Sequence, residues 1–473
     1  MAKSTGMVRK HPRATQFGYD AADSGGTSRR RRYNVNQLQS EDDVLTKEKR
    51  KKIISTQRDL YRNFSIAAWM VRKHLDYVSS FTFQSRTGDP KLDKRVEELM
   101  EWYSREENCD VARRHPLPQI IRMAEACRTI DGDVFLLKLA SGHLQAIESD
   151  RVRQPRDRKV VDPDDYPHGV KTKSSGMVHS YAVNGRGKNS SSYVFDKIIK
   201  AKNVIPLGYY SRFDQVRGIS PLSTAVNTLV DVYEGFDYAL AKAKVAQMFG
   251  LVFYRDSDDP MGEIASESDD DGTSRYTVDT GKGPFMLDLD PGDKAEFLEA
   301  KTPSAEFQDF SQIMTIVALK SLDIPYSFYD ESYTNFYGSR GAMIQYVKSC
   351  RAKRADLINL LRKLTVWRLS LFIMDGDLKL PSGMTMEDMK FEWVPTGIPW
   401  WDTKKEADGE LVLIQSGLKT RSDVLKERGG GDFRDVVDQL ASEEDYMREK
   451  NISVVLPGVS TDPQQSNTEV QSE

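Results

Sequence analysis

Residues 217–249 read RGISPLSTAVNTLVDVYEGFDYALAKAKVAQMF, and this stretch decides how the rest of the chain can be arranged. Ser220 is a good N-cap and Pro221 suits a first helical turn, so we predict a helix over residues 221–249. Its apolar side chains return every three or four residues, which predicts one buried face. About 28 residues at about 1.5 Å each make a rod of roughly 42 Å. Small residues over 239–246 favour close packing against a neighbouring helix.

Two further helices are predicted on the C-terminal side of this rod. One runs over Ala305–Leu322 and stops before Pro325. The other is an uninterrupted periodic segment over Arg340–Met374, long enough for up to roughly 50 Å of helix. Its predicted apolar stripe consists of Met343, Val347, Cys350, Leu357, Leu361, Leu364, Trp367 and Leu371. Its opposite face carries Lys348, Arg351, Lys353, Arg354, Arg362, Lys363 and Arg368.

An aromatic segment lies between these two helices and is closed by Gly338. Its aromatic residues are Tyr326, Phe328, Tyr329, Tyr333, Phe336 and Tyr337. Upstream, residues 255–271 are acidic and punctuated by Gly and Ser, which predicts an exposed loop containing Asp269, Asp270 and Asp271. Short strands are predicted after it at 276–278 and 285–289.

The N-terminal half begins helical and then becomes β-rich. Apolar periodicity from Lys47 to Phe81 predicts two helices that break near Asn63, and further helices are predicted over 91–105 and 117–129. A β-rich unit of roughly 75 residues follows. Its predicted strands are Val134–Leu139, Leu144–Ile147, Val178–Val183, Tyr193–Ile199 and Val204–Leu207.

The two ends of the chain have a different composition. Residues 1–46 are poor in large apolar side chains and include four consecutive arginines at 29–32, which predicts a flexible basic arm. Short helices are predicted at 406–416, 421–428 and 432–450, with Gly417 as the C-cap of the first. Residues 457–473 have the composition of a disordered tail.

Composition excludes several classes of protein. In 473 residues, 68 basic side chains against 71 acidic ones give a net charge of −3, so bulk charge excludes a dedicated basic coat for nucleic acid. Three cysteines without a CxxC pair do not make a disulfide framework or a structural zinc site. No apolar run approaches the roughly 20 residues of a membrane helix, and the N-terminus does not resemble a secretory signal.

The motifs of catalysis are missing from the sequence. The string nearest to a phosphate-binding loop, around Thr280–Gly283, lacks its first glycine and its final Ser or Thr. All six histidines lie in the first 180 residues, and no two stand three or four positions apart. The cluster Asp269–Asp271 is better explained as a solvated loop than as a cation site. We therefore predict no enzyme activity, no metal and no cofactor.

Nine stretches of sequence, taken together and in order, resemble those of the lambda-type phage portal family. They are RDLYRN at 58–63, GDVF at 132–135, LQAIESDRV at 144–152, HGV at 168–170, RGISPL at 217–222, LDIPY at 322–326, NFYGSR at 335–340, WDTKKE at 401–406 and GLKTR at 417–421. Two of them depart from the family pattern. Asp323 stands where the family has glycine, and in 335–340 the tyrosine is shifted and Gly338 replaces a serine.

The resemblance implies an α+β, helix-dominated portal protomer with wing, stem, clip and crown, in which a β-rich unit is inserted among long helices. It implies a ring, usually of twelve copies, at one vertex of the capsid, through which double-stranded DNA is packaged and ejected. The implied parts are a wing over 47–220, stem helices over 221–250 and 305–324, a clip over 251–304, a tunnel loop over 325–338, a long helix to the wing over 339–375, and crown and wing helices over 376–456.

The family's partners and functional surfaces follow from the same resemblance. The clip, here with Asp269, Asp270 and Asp271, would face the terminase large subunit and later the head–tail adaptor. Major capsid and scaffold proteins would surround the ring, which would be assembled in the host cytoplasm and reside in the virion, without a membrane. The residues expected to face DNA are Tyr326, Phe328, Tyr329, Tyr333, Asn335, Phe336, Tyr337 and Arg340.

Alternatives remain for the surfaces and for the whole protein. The aromatic rings can brush DNA or can anchor the loop in protein, and the basic face of the long helix can touch phosphate or can be solvated and paired between subunits. The chain can also be another head–tail connector or minor capsid protein, or an enzyme of DNA packaging. Particle images distinguish a channelled ring from a thin collar, and nucleotide hydrolysis identifies an enzyme.

Overall fold

The computed structural model describes residues 40–155, 161–187, 193–248, 251–255, 293–297, 304–330, 332, 336–397, 402–428 and 431–450. Helices predominate there, joined by small antiparallel sheets. The α-helices are α1 (Glu41–Val44), α2 (Lys47–Asn63), α3 (Ser65–Val78), α4 (Pro90–Tyr103), α5 (Glu106–Cys109), α6 (Leu117–Asp131), α7 (Val226–Met248), α8 (Ala305–Leu319), α9 (Phe336–Asp375), α10 (Thr403–Gln415), α11 (Arg421–Arg428) and α12 (Phe433–Glu449).

The strands form four antiparallel sheets in the described residues, in the orders β1-β10, β3-β2-β7, β4-β5-β6 and β8-β9. Their bounds are β1 (Phe81–Ser85), β2 (Asp133–Lys138), β3 (Leu144–Glu148), β4 (Val170–Thr172), β5 (Val178–Arg186), β6 (Tyr193–Lys200), β7 (Val204–Gly208), β8 (Leu251–Arg255), β9 (Asp293–Phe297) and β10 (Phe391–Pro395).

The chain divides into two compact units. The first contains residues up to Ser223 and from Leu322 onward, and the second contains Thr224–Ser321. In the first unit the two three-stranded sheets share a core that includes Phe135, Ile147 and Tyr181. Residues 134–137 of β2 are an apolar run with no alternation, and all four are buried, as expected for a central strand covered on both faces. Helix α9 packs against α3, β7 and β10.

The second unit contains α7, α8 and the β8–β9 hairpin. The two helices pack closely at Gly235, where an added Cβ would lie 3.5 Å from the ring of Phe307. Beside it, the rings of Phe236 and Phe307 meet edge to face with their centroids 5.9 Å apart. This position of α7 therefore faces α8 directly, and an added Cβ there would make an ordinary van der Waals contact with the Phe307 ring.

Several boundaries agree with the sequence predictions. The break between α2 and α3 falls at Phe64, one residue from the predicted position. Helix α6 and the strands β2, β3, β5, β6 and β7 lie where they were predicted, within a few residues. Gly417 follows α10 with φ +74°, the left-handed conformation expected of a C-cap glycine.

Other predictions need correction. Phe81, predicted at the end of a helix, lies in β1, which pairs with β10 more than 300 positions later. The predicted helix from Pro221 begins as a 3-10 turn over Pro221–Thr224, and the α-helix starts at Val226. Residues 40–46, assigned to the flexible arm, form α1 and its flanks, where Leu45 is buried and Asp42 accepts from the Val216 amide at 3.3 Å.

Strands β8 and β9 were not predicted, and the predicted acidic loop began at Arg255, which is the last residue of β8. The strands predicted at 276–278 and 285–289, the arm over 1–39 and the tail over 457–473 lie outside the described residues.

Candidate functional site

The short stretches that stand out in the sequence converge on one buried arginine. The side chain of Arg217 is 1% exposed, and its guanidinium binds the Asp133 carboxylate with two hydrogen bonds, Nε to Oδ2 at 2.7 Å and Nη2 to Oδ1 at 3.0 Å. It also donates to the carbonyl oxygens of Ser149 and His168, at 2.9 and 2.7 Å. Arg217 therefore joins the loop before α7 to the starts of β2 and β4.

Asp133 is the acceptor at the centre of this cluster. Besides Arg217, it accepts from the Gly218 amide at 2.9 Å, from Arg50 Nη2 at 3.0 Å and from Ser149 Oγ at 2.6 Å. Burial alone would raise the pKa of Asp133, but the two arginines lower it to about 2. The carboxylate is thus charged and fully satisfied, which is the condition for a stable buried ion pair.

Two glycines allow the segments of this cluster to approach. A Cβ on Gly218 would lie 2.1 Å from the Gly132 carbonyl oxygen, and a Cβ on Gly132 would lie 2.4 Å from that of Gly218. Gly132 also has φ +98°, a conformation that L side chains rarely adopt. The glycines of GDVF and RGISPL are therefore explained by contact between these two stretches.

A second charged group surrounds the first. Arg58 of α2 donates to Asp131 Oδ1 at 2.8 Å and to Asp150 Oδ1 at 2.9 Å, and Asp150 also accepts from the Tyr193 hydroxyl. Arg58 of RDLYRN is thus paired with Asp150 of LQAIESDRV and with Asp131, the residue directly before GDVF.

A buried polar group fixes α9 to the N-terminal helices. His74 Nε2 lies 2.8 Å from Glu125 Oε1, and Arg128 Nε lies 2.8 Å from Glu125 Oε2, with the three side chains fully buried. Arg128 Nη1 donates to Asp356 Oδ2 of α9 at 2.8 Å, and the Tyr209 ring lies 4.1 Å from the Arg128 guanidinium carbon. Burial lowers the pKa of His74 in spite of its carboxylate neighbour.

The aromatic segment after α8 is part of the first unit, and the ring of Phe328 packs it against two helices of that unit. Phe328 stacks on Tyr77 of α3, with centroids 5.8 Å apart, and meets Tyr346 of α9 edge to face at 5.4 Å. Tyr77 and Tyr346 are themselves 5.1 Å apart. The three rings form a cluster that joins α3, the segment and α9.

The other residues expected to face DNA occupy varied positions. Tyr329 is 41% exposed and touches Trp69 at 5.8 Å, whereas Tyr326 is half-buried and donates to Asp330 at 3.2 Å. Tyr337, in the first turn of α9, is 83% exposed. Phe336 begins α9, and Tyr333 and Asn335 lie outside the described residues, as do Asp269, Asp270 and Asp271. Arg340 pairs with Glu406 of α10 at 3.4 Å.

Asp323, which replaces the family's glycine, has the backbone conformation of a glycine. Its φ is +61°, in the left-handed region where Asp and Asn are the best tolerated residues after glycine. Its carboxylate accepts from Ser349 Oγ at 2.9 Å and from Lys353 Nζ at 3.1 Å, both on α9. Burial opposes the charge, but Lys353 keeps the pKa of Asp323 below its ordinary value.

Substitutions of Asp323 should separate strain from charge. Asp323→Gly removes about 1 kcal/mol of backbone strain, which stabilises the protein, and it also removes a surface ion pair of similar value, which destabilises it. The free energy of unfolding should therefore change by less than about 1 kcal/mol. Asp323→Val keeps the strain, adds a branched Cβ and loses the pair, so it should cost about 2 kcal/mol. Urea unfolding of the two variants provides the measurement. Equal stability of both variants would contradict the role of φ.

The basic face of α9 is divided between internal and exposed side chains. Lys348, Arg351, Arg362 and Lys363 are exposed. Lys353 donates to the Leu322 carbonyl at 3.1 Å, and Arg354 donates to the Tyr77 carbonyl. Arg368 was predicted on this face, and the prediction is wrong. It is 7% exposed, and its guanidinium lies over the rings of Phe372 and Tyr103 at 4.1 and 5.0 Å.

The described residues contain no group of three or more His, Cys, Asp or Glu side chains placed to hold a metal ion. Over the same residues, none of the helices combines the length and apolar composition of a membrane span.

The Arg217–Asp133 pair was not predicted from the sequence. One signal for this pair was present in the sequence. Asp133 directly precedes the apolar run 134–137, which has no polar face, so a charged side chain there needs a buried partner.

Comparison with known proteins identifies the family to which these features belong. The sequence pattern of a phage portal family, described as "Phage portal protein, lambda family", matches residues 27–354. The chain therefore belongs to the phage portal proteins, and within them to the lambda family. The matched residues include Arg58, Asp133, Arg217 and Asp323, so the buried cluster lies in the part of the chain that the family shares.

Individual relatives are more distant. The chain is 24% identical over 260 residues to the "Probable portal protein" of Halomonas phage phiHAP-1. This match covers 51% of this chain and 47% of that relative, so the chain spans about half the length of the relative. Among solved structures, a chain from the virion of a native gene transfer agent particle is 12% identical with a TM-score of 0.47, over 80% of this chain and 94% of that chain. A chain from the neck of the empty particle, computed with C6 symmetry, is 13% identical with a TM-score of 0.47, over 81% and 94%.

Proposed function

We propose that this protein is the portal subunit of a tailed phage or a phage-like particle. Copies close into a ring, of twelve in the family's usual form, at one vertex of the capsid, and double-stranded DNA moves through the open axis during packaging and ejection. The observation that carries the proposal is the family match over residues 27–354. The protein would be assembled in the host cytoplasm and remain in the virion.

Association of copies is supported by the surface of the second unit. Its two helices leave large apolar side chains exposed, and such surfaces usually mark contacts between proteins. The exposed side chains are Tyr233, Phe236, Tyr238 and Leu240 on α7 and Phe310, Ile313 and Val317 on α8. Tyr238 alone is 72% exposed. We assign residues 221–250 and 305–324 to stem helices that pack against the same helices of neighbouring copies.

The remaining parts are assigned in the family's terms. Residues 47–220 form the wing, 251–304 the clip, 325–338 the tunnel loop, 339–375 the long helix that leads to the wing, and 376–456 the crown and wing helices. The clip would bind the terminase large subunit during packaging and head–tail adaptor proteins afterwards. Major capsid and scaffold proteins would contact the outside of the ring.

Charge supports passage of DNA rather than retention. Twelve copies at −3 each would carry about −36, which on balance repels a polyanion. A continuous basic lining would hold DNA by counterion release. On α9, Lys353, Arg354 and Arg368 have partners inside the protomer, which leaves Lys348, Arg351, Arg362 and Lys363 exposed for transient phosphate contacts or for pairing between subunits. Among the described aromatic residues of the segment, Tyr329 and Tyr337 have exposed rings, and we assign the DNA contact to them.

Purified protein should form a closed ring with an axial opening wide enough for duplex DNA, and should hydrolyse neither nucleotides nor DNA by itself. Native mass spectrometry gives the number of copies, electron microscopy gives the opening, and phosphate release tests for hydrolysis. Protein that remains monomeric under all assembly conditions, or that turns over ATP unaided, would contradict the proposal.

The clip assignment has a separate test. Replacing Asp269, Asp270 and Asp271 by lysine reverses a concentrated negative charge, and docking of complementary partners should be impaired while ring formation is unchanged. Particles assembled with the variant should package DNA poorly. Packaging at the wild-type level would argue against contact between this acidic cluster and the packaging motor.

A further inference from the structure

One exposed loop of the first unit has a fixed shape. Gln215, only 7% exposed, accepts from the Ser211 amide at 2.9 Å and donates to the carbonyl oxygens of Tyr209 and Arg217 at 3.3 and 2.6 Å. These bonds close residues 209–215 into a compact loop, which we call the Phe213 loop. Its far end continues into Arg217, the centre of the buried cluster. The loop is therefore held at both ends although its tip is in solvent.

Phe213 at the tip has a relative exposure of 114%, the highest of any large apolar side chain in the described residues. A fully exposed phenylalanine loses the favourable transfer from water that burial would give. Aromatic side chains on pre-formed backbones are typical centres of protein contacts, because little conformational entropy remains to be lost on binding. The loop thus holds the Phe213 ring in a fixed, exposed position, and we call this side chain the knob.

The Phe213 loop lies on a definable side of α9. Tyr209, its first residue, stacks on Arg128, and Arg128 donates to Asp356 of α9 at 2.8 Å. Strand β7, which ends at Gly208, also packs against α9. The knob is therefore attached on the side of α9 that Asp356 occupies.

A cavity of about 630 Å³ opens on another side of the same helix. Its apolar lining, the α9 cavity, consists of Met343, Ile344, Val347, Ile358, Val394 and Pro395. Val347 and Asp356 are nine residues apart, and at about 100° per residue they point about 180° away from each other. The cavity is large enough for an aromatic side chain, since ligand pockets of about 300–1,000 Å³ are usual.

We propose that Phe213 of one copy inserts into the α9 cavity of the next copy. The knob and the cavity belong to different faces of α9, so a contact between them joins two unlike surfaces of neighbouring copies. Such a head-to-tail contact closes into a ring when it is repeated about an axis. Charge supports this contact at one residue. Asp214 follows the knob directly, and the cavity wall carries the exposed cations Lys348 and Arg351, whereas Glu392 and Glu427 of the same wall already pair with Lys426 and Lys419 at 2.9 and 2.6 Å. The inference rests on the proposed ring and names a contact that closes it.

Cysteine cross-linking tests the contact directly. Phe213→Cys combined with Ile344→Cys, whose native side chain is 59% exposed in the cavity, should give a ladder of covalent oligomers after mild oxidation of assembled rings. The native Cys109 and Cys350 are buried and Cys127 is half-buried, so they should contribute little background. The matched control pairs Phe213→Cys with Met177→Cys, at an equally exposed position (54%) outside the cavity, and should give no ladder.

A single substitution adds a quantitative result. Phe213→Ala should leave the melting temperature of the monomer unchanged and raise the concentration needed for assembly at least about tenfold, because a buried aromatic contact is lost. Rings that form normally with Phe213→Ala and show no 213–344 cross-link would overturn the inference alone. A cross-link from position 213 only to a different protein would also overturn it. Wild-type protein that never assembles would refute the proposed function as well.

Discussion

Replacing Asp133 by asparagine should destabilise the first unit by about 3–5 kcal/mol, because it leaves the buried guanidinium of Arg217 without its counter-charge. The side chain of Asp133 is fully buried and accepts from Arg217, Arg50, Ser149 and the Gly218 amide. Asparagine offers one acceptor oxygen where the carboxylate offers two. Chemical unfolding followed by circular dichroism measures the change.

The pH dependence of the same variant provides a second test. Since the pKa of Asp133 is lowered to about 2 in the folded protein, its charge contributes stability above a pH of about 4, and this contribution is lost as the pH falls toward about 2. Asp133→Asn should lack that part of the acid dependence. The control is Asp76→Asn, in an exposed pair with Arg122, which should change stability by less than about 1 kcal/mol. Equal effects of the two substitutions would contradict the importance of the buried pair.

Replacing Arg128 by methionine should also cost about 3–5 kcal/mol, since Glu125 would remain buried without its strongest partner. The variant also loses the bond to Asp356, so α9 is released from α6 near residues 353–356. Hydrogen exchange should therefore accelerate in this part of α9 at denaturant concentrations where the rest of the first unit remains folded. Unfolding curves give the free energy, and exchange locates the change.

A double variant separates charge from packing at this position. In Arg128→Met/Glu125→Gln no buried carboxylate remains, and more than half of the lost stability should return. Arg122→Met, on the same helix but 43% exposed, serves as the control and should have little effect. If the double variant is as unstable as Arg128→Met alone, the loss arises from packing against Tyr209 and not from the unpaired charge.

Local patterns predicted the elements that depend on local rules. The helix break near Asn63, the strand pattern from Val134 onward and the C-cap at Gly417 follow from periodicity and turn chemistry over a few residues. The long helix α9 was predicted for the same reason, since no proline interrupts 340–374. The resemblance to the portal family added the expected order of wing, stem, clip, tunnel loop and crown, which periodicity alone does not predict.

The remaining features depend on contacts between distant residues. Phe81 looked like the end of a helix because its strand is defined by pairing with Pro395, which no local window includes. Arg368 looked solvent-exposed because a charged side chain predicts a polar face, and its aromatic neighbours Trp102 and Tyr103 come from another helix. The Arg217–Asp133 pair joins residues 84 positions apart, so both charges are visible in the sequence but their burial is not.

The aromatic segment is attached to α9 at its start, in its middle and at its end. At its start, Asp323 is tied to Ser349 and Lys353 of α9, and at its end the backbone becomes α9 at Phe336. Between these points the ring of Phe328 packs edge to face against Tyr346 of the same helix. If a moving polymer pulled on this segment, the force would pass to α9 at these points and to α3 through the contact of Phe328 with Tyr77, so two helices would share it instead of a single joint.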